Sequence, residues 1–276
     1  MMKVWFVTGS SRGLGRNIVE AALKAGDRVV ATARQPEQLK DLRDKWGDQI
    51  RTLRLDVADA GAARKAAAAA VEAFGQIDVV VNNAGQADLA SIEDSTEEGF
   101  RRQFETVFMG VVHVTKATLP ILRERGSGHF IQVSSAGDRL GTPGLAAYQS
   151  AKWAVTGFST TLANEIAPLG IKVTILEPGT MRTDMPGGSS MEIGAISEPY
   201  RPTVGFMAER LRGNSHLAPN DPARVARLIV DITRMAEPPT RLLVGSDAVE
   251  YGQAAVKELS ENDERWSALS RSVNSD

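Results

Sequence analysis

The chain has 276 residues, 32 basic against 34 acidic side chains for a formal charge of -2, and no cysteine. Without a long run of one charge sign or an apolar stretch near the ~20 residues that span a bilayer, nothing points to nucleic acid or a membrane. Lacking cysteine, it forms no disulfide, thiolate nucleophile or Cys-ligated zinc, a composition suited to a reducing cytoplasm.

The N-terminus runs straight into a strand-like VWFV, without the charged and long apolar regions of a signal peptide. Short runs rich in Val and Ile predict strands at Lys3–Thr8, Arg28–Thr32, Ile50–Leu55, Ile77–Asn82, His129–Ser134, Lys172–Leu176 and Arg241–Val244. Near-continuous hydrophobicity, as in Val79-Val80-Val81, fits strands covered on both faces of a parallel sheet. Helices are predicted between them at Leu14–Ala25, Pro36–Trp46, Ala60–Phe74, Thr96–Arg125, Leu145–Ala167 and Pro222–Met235. The last has a cap at Asp221, Pro222 in its first turn and a stop at Pro238-Pro239. Repeated βα units predict a Rossmann-type α/β fold: a doubly wound parallel sheet of about seven strands with helices on both faces. Length alone, at roughly 150 residues per domain, suggests two domains. No Pro/Gly/Ser-rich linker offers a cut, so one catalytic domain over residues 1–276 is expected.

Two regions break the alternation. Residues 182–219 read as a substrate lid or as a disordered surface insertion. The lid is favoured because Met191, Ile193, Ile196, Tyr200, Phe206 and Met207 need something to bury against. The tail from about Asn262 is polar apart from Trp266 and Leu269, and reads as a short docking helix or a frayed end. The three histidines, His113, His129 and His216, are too scattered for a metal site and are expected to be structural or exposed.

The chemistry begins at Thr8-Gly9-Ser10-Ser11-Arg12-Gly13-Leu14-Gly15, directly after a strand and opening a helix. Glycines let backbone approach a pyrophosphate, whose charge the free N–H groups of a helix N-terminus stabilise. The acidic residue that would hold an adenosine ribose is missing, because the second strand ends Ala31-Thr32-Ala33-Arg34. Ala33 removes repulsion of a 2′-phosphate, and Arg34 and Arg12 can pair with one, which favours NADP over NAD. Two solvated arginines are the alternative. Further on, Tyr148 and Lys152 stand four residues apart in YQSAK and share a helix face, with Ser135 thirteen residues before the tyrosine. An ammonium one turn from a phenol is expected to lower its pKa from ~10, and Ser135 can hydrogen-bond a substrate oxygen as charge develops there.

These motifs, with Asp56-Val57, Asn82-Asn83-Ala84-Gly85 and Pro178-Gly179-Thr180-Met181-Arg182-Thr183, resemble the short-chain dehydrogenase/reductase family in its compact single-domain branch. The resemblance runs from about Lys3 to Val249. The stretches Gln103–Gly110 and Gly128–Ala136 look most like hydroxysteroid- and retinol-dehydrogenase-like oxidoreductases. It implies that Gly9, Ser11, Arg12, Gly13, Leu14, Gly15 and Arg34 bind the phosphates and that Asp56 and Val57 bracket the adenine. It places Asn83, Ala84 and Gly85 along the cofactor cleft. Pro178, Gly179, Met181 and Thr183 would contact the nicotinamide end. Ser135 would orient the substrate, Tyr148 act as acid/base, and Lys152 also hold the ribose. The family's asparagine, three residues before the glycine of the middle helix, is replaced here by Val107 in ETVFMG, so a water held for Lys152 loses its polar partner.

The expected activity is interconversion of an alcohol with a ketone or aldehyde. Leu140, Leu145, Met181, Met185 and Phe206 are expected around an uncharged, apolar substrate. A nucleotide-binding regulatory protein with impaired catalysis, motivated by Val107, and a lyase on the same fold are the alternatives. A homodimer or homotetramer is implied through Thr96–Arg125 and Leu145–Ala167, the latter offering Trp153, Val155 and Phe158.

Overall fold

The computed structural model describes residues 2–182, 191–213 and 218–274. Seven parallel strands form the main sheet: β1 (Val4–Val7), β2 (Arg28–Ala33), β3 (Ile50–Arg54), β4 (Val79–Asn82), β6 (Gly128–Val133), β7 (Ile171–Pro178) and β9 (Arg241–Val244). Their order is β3-β2-β1-β4-β6-β7-β9, with the chain switching direction between β1 and β4. In such a sheet the strands' carboxyl ends open a crevice at the switch point, which locates the site. Both faces are covered, as the unbroken Val/Ile runs predict. On one face α1 (Gly13–Lys24), α2 (Lys40–Trp46) and α8 (Pro222–Ile232) bury Ile18, Leu42 and Ile229. On the other, α3 (Ala60–Phe74), α5 (Gly110–Arg125) and α6 (Ala146–Ile166) bury Ala66, Val114 and Leu162.

The single helix expected over Thr96–Arg125 is three pieces. It consists of α4 (Glu97–Phe104), capped by Thr96, then a π-helical turn over Glu105–Met109, then α5. The predicted helix from Pro36 likewise begins as a 3₁₀ turn, Pro36–Leu39, before α2.

The segment after β7 is where sequence periodicity was weakest. The short strand β5 (Ala87–Leu89) pairs in parallel with β8 (Met191–Ile193), a two-stranded sheet the sequence did not predict. Tyr200 and Val204 lead through a π-helical turn into α7 (Phe206–Gly213). Leu89, Val204 and Ala208 form a small separate core, with Leu145, Ile193, Ile196 and Met207 packed on it. Within the described residues this region is folded, not a disordered insertion. Residues 183–190 and 214–217 of the expected lid lie outside the described residues.

The tail also differs. No boundary falls near Asn262, because α9 runs unbroken from Ser246 to Arg271. Its residues are mostly good helix formers with no Pro and only Gly252 inside, so nothing stops it. Trp266 and Leu269 do not dock; both are exposed.

Candidate active site

The turn from β1 into α1 is held by the side chains of Thr8 and Asn83 on main-chain partners. Thr8 Oγ1 accepts hydrogen bonds from the amides of Asn83 (3.0 Å) and Ala84 (3.1 Å), and Asn83 Nδ2 donates to the carbonyls of Thr8 (2.9 Å) and Gly9 (3.2 Å). Gly9 takes φ +66°, which favours glycine. A Cβ on Gly15 would fall 2.2 Å from the Gly9 carbonyl oxygen. Gly15 therefore lies behind the turn and does not line the cleft, a correction to its expected place among the contacting residues. Gly9, Ser11, Arg12, Gly13 and Leu14 do line it. No side chain caps α1 and no acidic residue occupies its first turn. Its first amides thus retain hydrogen-bonding capacity for an anion.

Next to this turn, Ala33, Arg34, Asp56 and Val57 line the same cleft, as do Asn83, Ala84 and Gly85. Ala33, the last residue of β2, is buried, and Arg34, which follows it, is exposed. The Asp56 carboxylate accepts from the Ala58 amide at 3.1 Å. Glycine turn and open helix end fit the pyrophosphate of a dinucleotide.

Ser135, Tyr148 and Lys152 converge where β6 ends against α6, and all three line the cleft. Ser135 Oγ accepts from the Gly137 amide at 3.0 Å, which fixes its rotamer. Lys152 Nζ donates to the Val133 carbonyl at 2.6 Å and stands 5.7 Å from the centre of the Tyr148 ring. Burial lowers the Lys152 pKa to about 8, with the Asp138 charge working against that shift. Burial raises the Tyr148 phenol above 10.0; a hydrogen bond with Ser135 opposes this and the Asp138 charge adds to it. The direction is opposite to the lowering expected from the lysine, and burial is its largest cause.

Val107 is fully buried in the π-helical turn. Its Cγ2 and Lys152 Nζ both lie within 4.0 Å of where a Gly85 Cβ would project. The family's asparagine position thus shares Gly85 as a neighbour with the lysine, but carries an apolar side chain.

Sequence reasoning missed the polar layer behind this set. Asp138, 6% exposed, accepts from Ser134 Oγ at 2.8 Å and from Thr156 Oγ1. Ser134 also donates toward the Lys152 carbonyl (3.2 Å), so this layer ties α6 to the end of β6. Burial pushes the Asp138 carboxyl up. Beside it the fully buried Glu177 is held by Arg139 (2.5 Å) and Arg241 (2.6 Å). A lone Asp, a lone Glu and two arginines far apart in sequence carry no local pattern, so only the fold unites them.

At the end of β7, Pro178, Gly179 and Met181 line the cleft; Thr183 and Met185 lie outside the described residues. Asp247 in the first turn of α9 accepts from the Thr180 amide (2.7 Å) and from Asn220 Nδ2 (2.8 Å), fixing this loop. The substrate side adds Leu140, Leu145, Met191, Met207 and Leu211, and the whole cleft encloses about 560 Å³. Phe206, expected here, is 61% exposed and points away, because Val204 and Ala208 occupy the inward face. Among the described residues no group of His, Asp or Glu could hold a metal ion. His113 bonds the Val57 carbonyl oxygen at 3.1 Å and His129 is buried against Thr174, both structural; His216 lies outside the described residues.

Residues 3–192 match the short chain dehydrogenase family profile. The chain is 54% identical over 271 residues to oxidoreductase BOA17 of Botryotinia fuckeliana, covering 98% of each. A crystal structure of a short-chain dehydrogenase from Streptomyces avermitilis superposes with a TM-score of 0.93 at 37% identity, covering 100% of both chains. An alcohol dehydrogenase from Thermococcus sibiricus, solved with 5-hydroxy-NADP, gives 0.72 at 25% identity over 88% of this chain and 96% of that one.

Proposed function

From the premise that this chain belongs to the short-chain dehydrogenase family of oxidoreductases, we propose that it interconverts an alcohol and a ketone or aldehyde with NADP(H), Tyr148 serving as acid/base. The observation that carries this reading is that Ser135, Tyr148 and Lys152 open onto the cleft that also holds the glycine turn. The cleft lined by Gly9, Ser11, Gly13 and Asn83 would hold a nicotinamide cofactor, whose chemistry when bound would be to supply or accept the hydride. Ser135 Oγ, fixed by the Gly137 amide, orients the substrate oxygen. Tyr148 donates its phenolic proton to that oxygen during reduction and takes it back during oxidation. Lys152, anchored on the Val133 carbonyl, stabilises the phenolate left behind. Ala33 and Arg34 support NADP over NAD, and the Thermococcus relative's NADP-type ligand is consistent with that choice.

The same proposal takes the chain as one catalytic domain, with residues 191–213 as a lid, in the cytoplasm. It also includes a homodimer or homotetramer. Val155 is fully buried and cannot serve the pairing face, but Trp153 is 51% exposed and an aromatic ladder of Phe104, Phe108 and Phe158 is half-buried nearby. Light scattering that finds a monomer at micromolar concentration would remove this part. A panel of ketones and alcohols, assayed separately with NADPH and NADH by absorbance of the reduced cofactor, tests the activity. Turnover with NADPH on at least one carbonyl supports it. Nucleotide binding with no turnover of any member would favour a regulatory protein with impaired catalysis, the reading that Val107 motivates.

A further inference from the structure

Besides Arg12 and Arg34, the cleft is lined by one further arginine, Arg210, among apolar side chains such as Leu145, Met207 and Leu211 and polar ones such as Thr142, Gln149 and Tyr251. Helix α7 presents Met207, Arg210 and Leu211 to it, spaced i, i+3 and i+4 and so on one helical face. The helix is seated by Val204 and Ala208 on Leu89, with Leu145 packed beside them, three residues before Tyr148. The helix that carries Arg210 is thereby packed on the segment that leads into Tyr148. Arg210 is exposed and makes no hydrogen bond or ion pair with any described residue. Asp56, at the far end beside Val57, is the one carboxylate among the described residues that line the cleft. A guanidinium lining a cleft, with no carboxylate near it among the described lining residues, can be matched by an anion brought with the ligand.

Resting on the oxidoreductase reading above, we propose that Arg210 binds an anionic group of the substrate, so that the enzyme acts on an amphipathic oxo or hydroxy acid. The carbonyl or hydroxyl lies at Tyr148, an apolar body lies along Leu145, Met207 and Leu211, and a carboxylate meets Arg210. This replaces the expectation of an uncharged substrate. Dinucleotide phosphates are the other possible source of an anion, and the test separates the two.

The experiment compares wild type with Arg210→Gln and Arg210→Lys on oxo acids of increasing chain length and their methyl esters. KM, kcat and the Kd for NADPH are measured, together with binding of each acid to the protein saturated with NADP+. The expected result is a KM for the acid raised roughly tenfold to a hundredfold in Arg210→Gln, since hydrogen bonds to charged groups contribute on that scale. KM for the ester and Kd for NADPH stay unchanged, and Arg210→Lys recovers part of the loss. Equal effects on acid and ester, or no effect, would overturn the proposal while leaving the oxidoreductase reading intact. Weaker NADPH binding with no acid–ester difference would assign Arg210 to the cofactor and overturn it likewise. If the acid bound in an Arg210-dependent way but no acid or ester turned over, the anion site would stand and the activity reading would fail for this class.

Discussion

The two ends of the cleft are made from different materials. At the cofactor end, the main chain of Gly9 and Gly15 is packed against itself and held by the short polar side chains of Thr8 and Asn83, at separations that leave no room for a Cβ on Gly15. At the substrate end, Leu145, Met207, Leu211 and Arg210 reach in as side chains from segments remote in sequence, standing on a core of three buried residues. A backbone-built site tolerates almost no substitution, whereas a side-chain-built site can change its ligand without disturbing the fold.

The largest expected effect tests that contrast directly. Gly15→Ala forces a Cβ against the Gly9 carbonyl and should abolish measurable NADPH binding and lower the Tm. Met207→Ala should raise KM for the carbonyl substrate several-fold and leave the NADPH Kd unchanged. Titration of NADPH into both variants reads the difference, and an unaltered Kd for Gly15→Ala would break the comparison. Next in size is Arg34→Asp. A carboxylate at the end of β2 repels a 2′-phosphate, so NADPH binding should weaken about tenfold or more and NADH should become the better ligand. Tighter NADH than NADPH binding by the wild type would remove the claim.

Between the two ends stands Lys152, whose buried ammonium destabilises the fold. Its folded pKa is depressed from 10.5 to about 8, so the unfolded chain binds more protons between those values. Stability therefore rises with pH across that window. Lys152→Met should melt higher than wild type at pH 7, by up to about 3 kcal/mol in stability, with the gap closing toward pH 10.5 while activity is lost. A gap independent of pH would mean the ammonium is not the cause. The smallest effect is at Val107. Because its side chain is fully buried, Val107→Asn should cost about 1–3 kcal/mol of stability. Turnover and Tm measured together decide the matter. A faster enzyme with unchanged Tm would show that the relay accepts an asparagine here.

The same division explains what could be read from the chain before its fold. The strands were legible because parallel strands buried on both faces need unbroken apolar runs, and Arg241–Val244 matches to the residue. Tyr148 and Lys152 were legible because one helical turn joins them, and the glycine turn because backbone contact demands glycine. The π-helical turn at Glu105–Met109, the β5–β8 pair and the inward face of α7 were not, since each is short and set by tertiary packing. Asp138 and Glu177 escaped notice because an isolated acid resembles any surface acid until Ser134, Thr156, Arg139 and Arg241 surround it.

The central claim is that Tyr148 moves the proton and does not bind the dinucleotide. Its most direct test is Tyr148→Phe, measured for single-turnover carbonyl reduction and for NADPH affinity in the same preparation. The account predicts a rate lower by at least about 10²-fold with an NADPH Kd within about twofold of wild type. Near-wild-type reduction by the phenylalanine variant would contradict it.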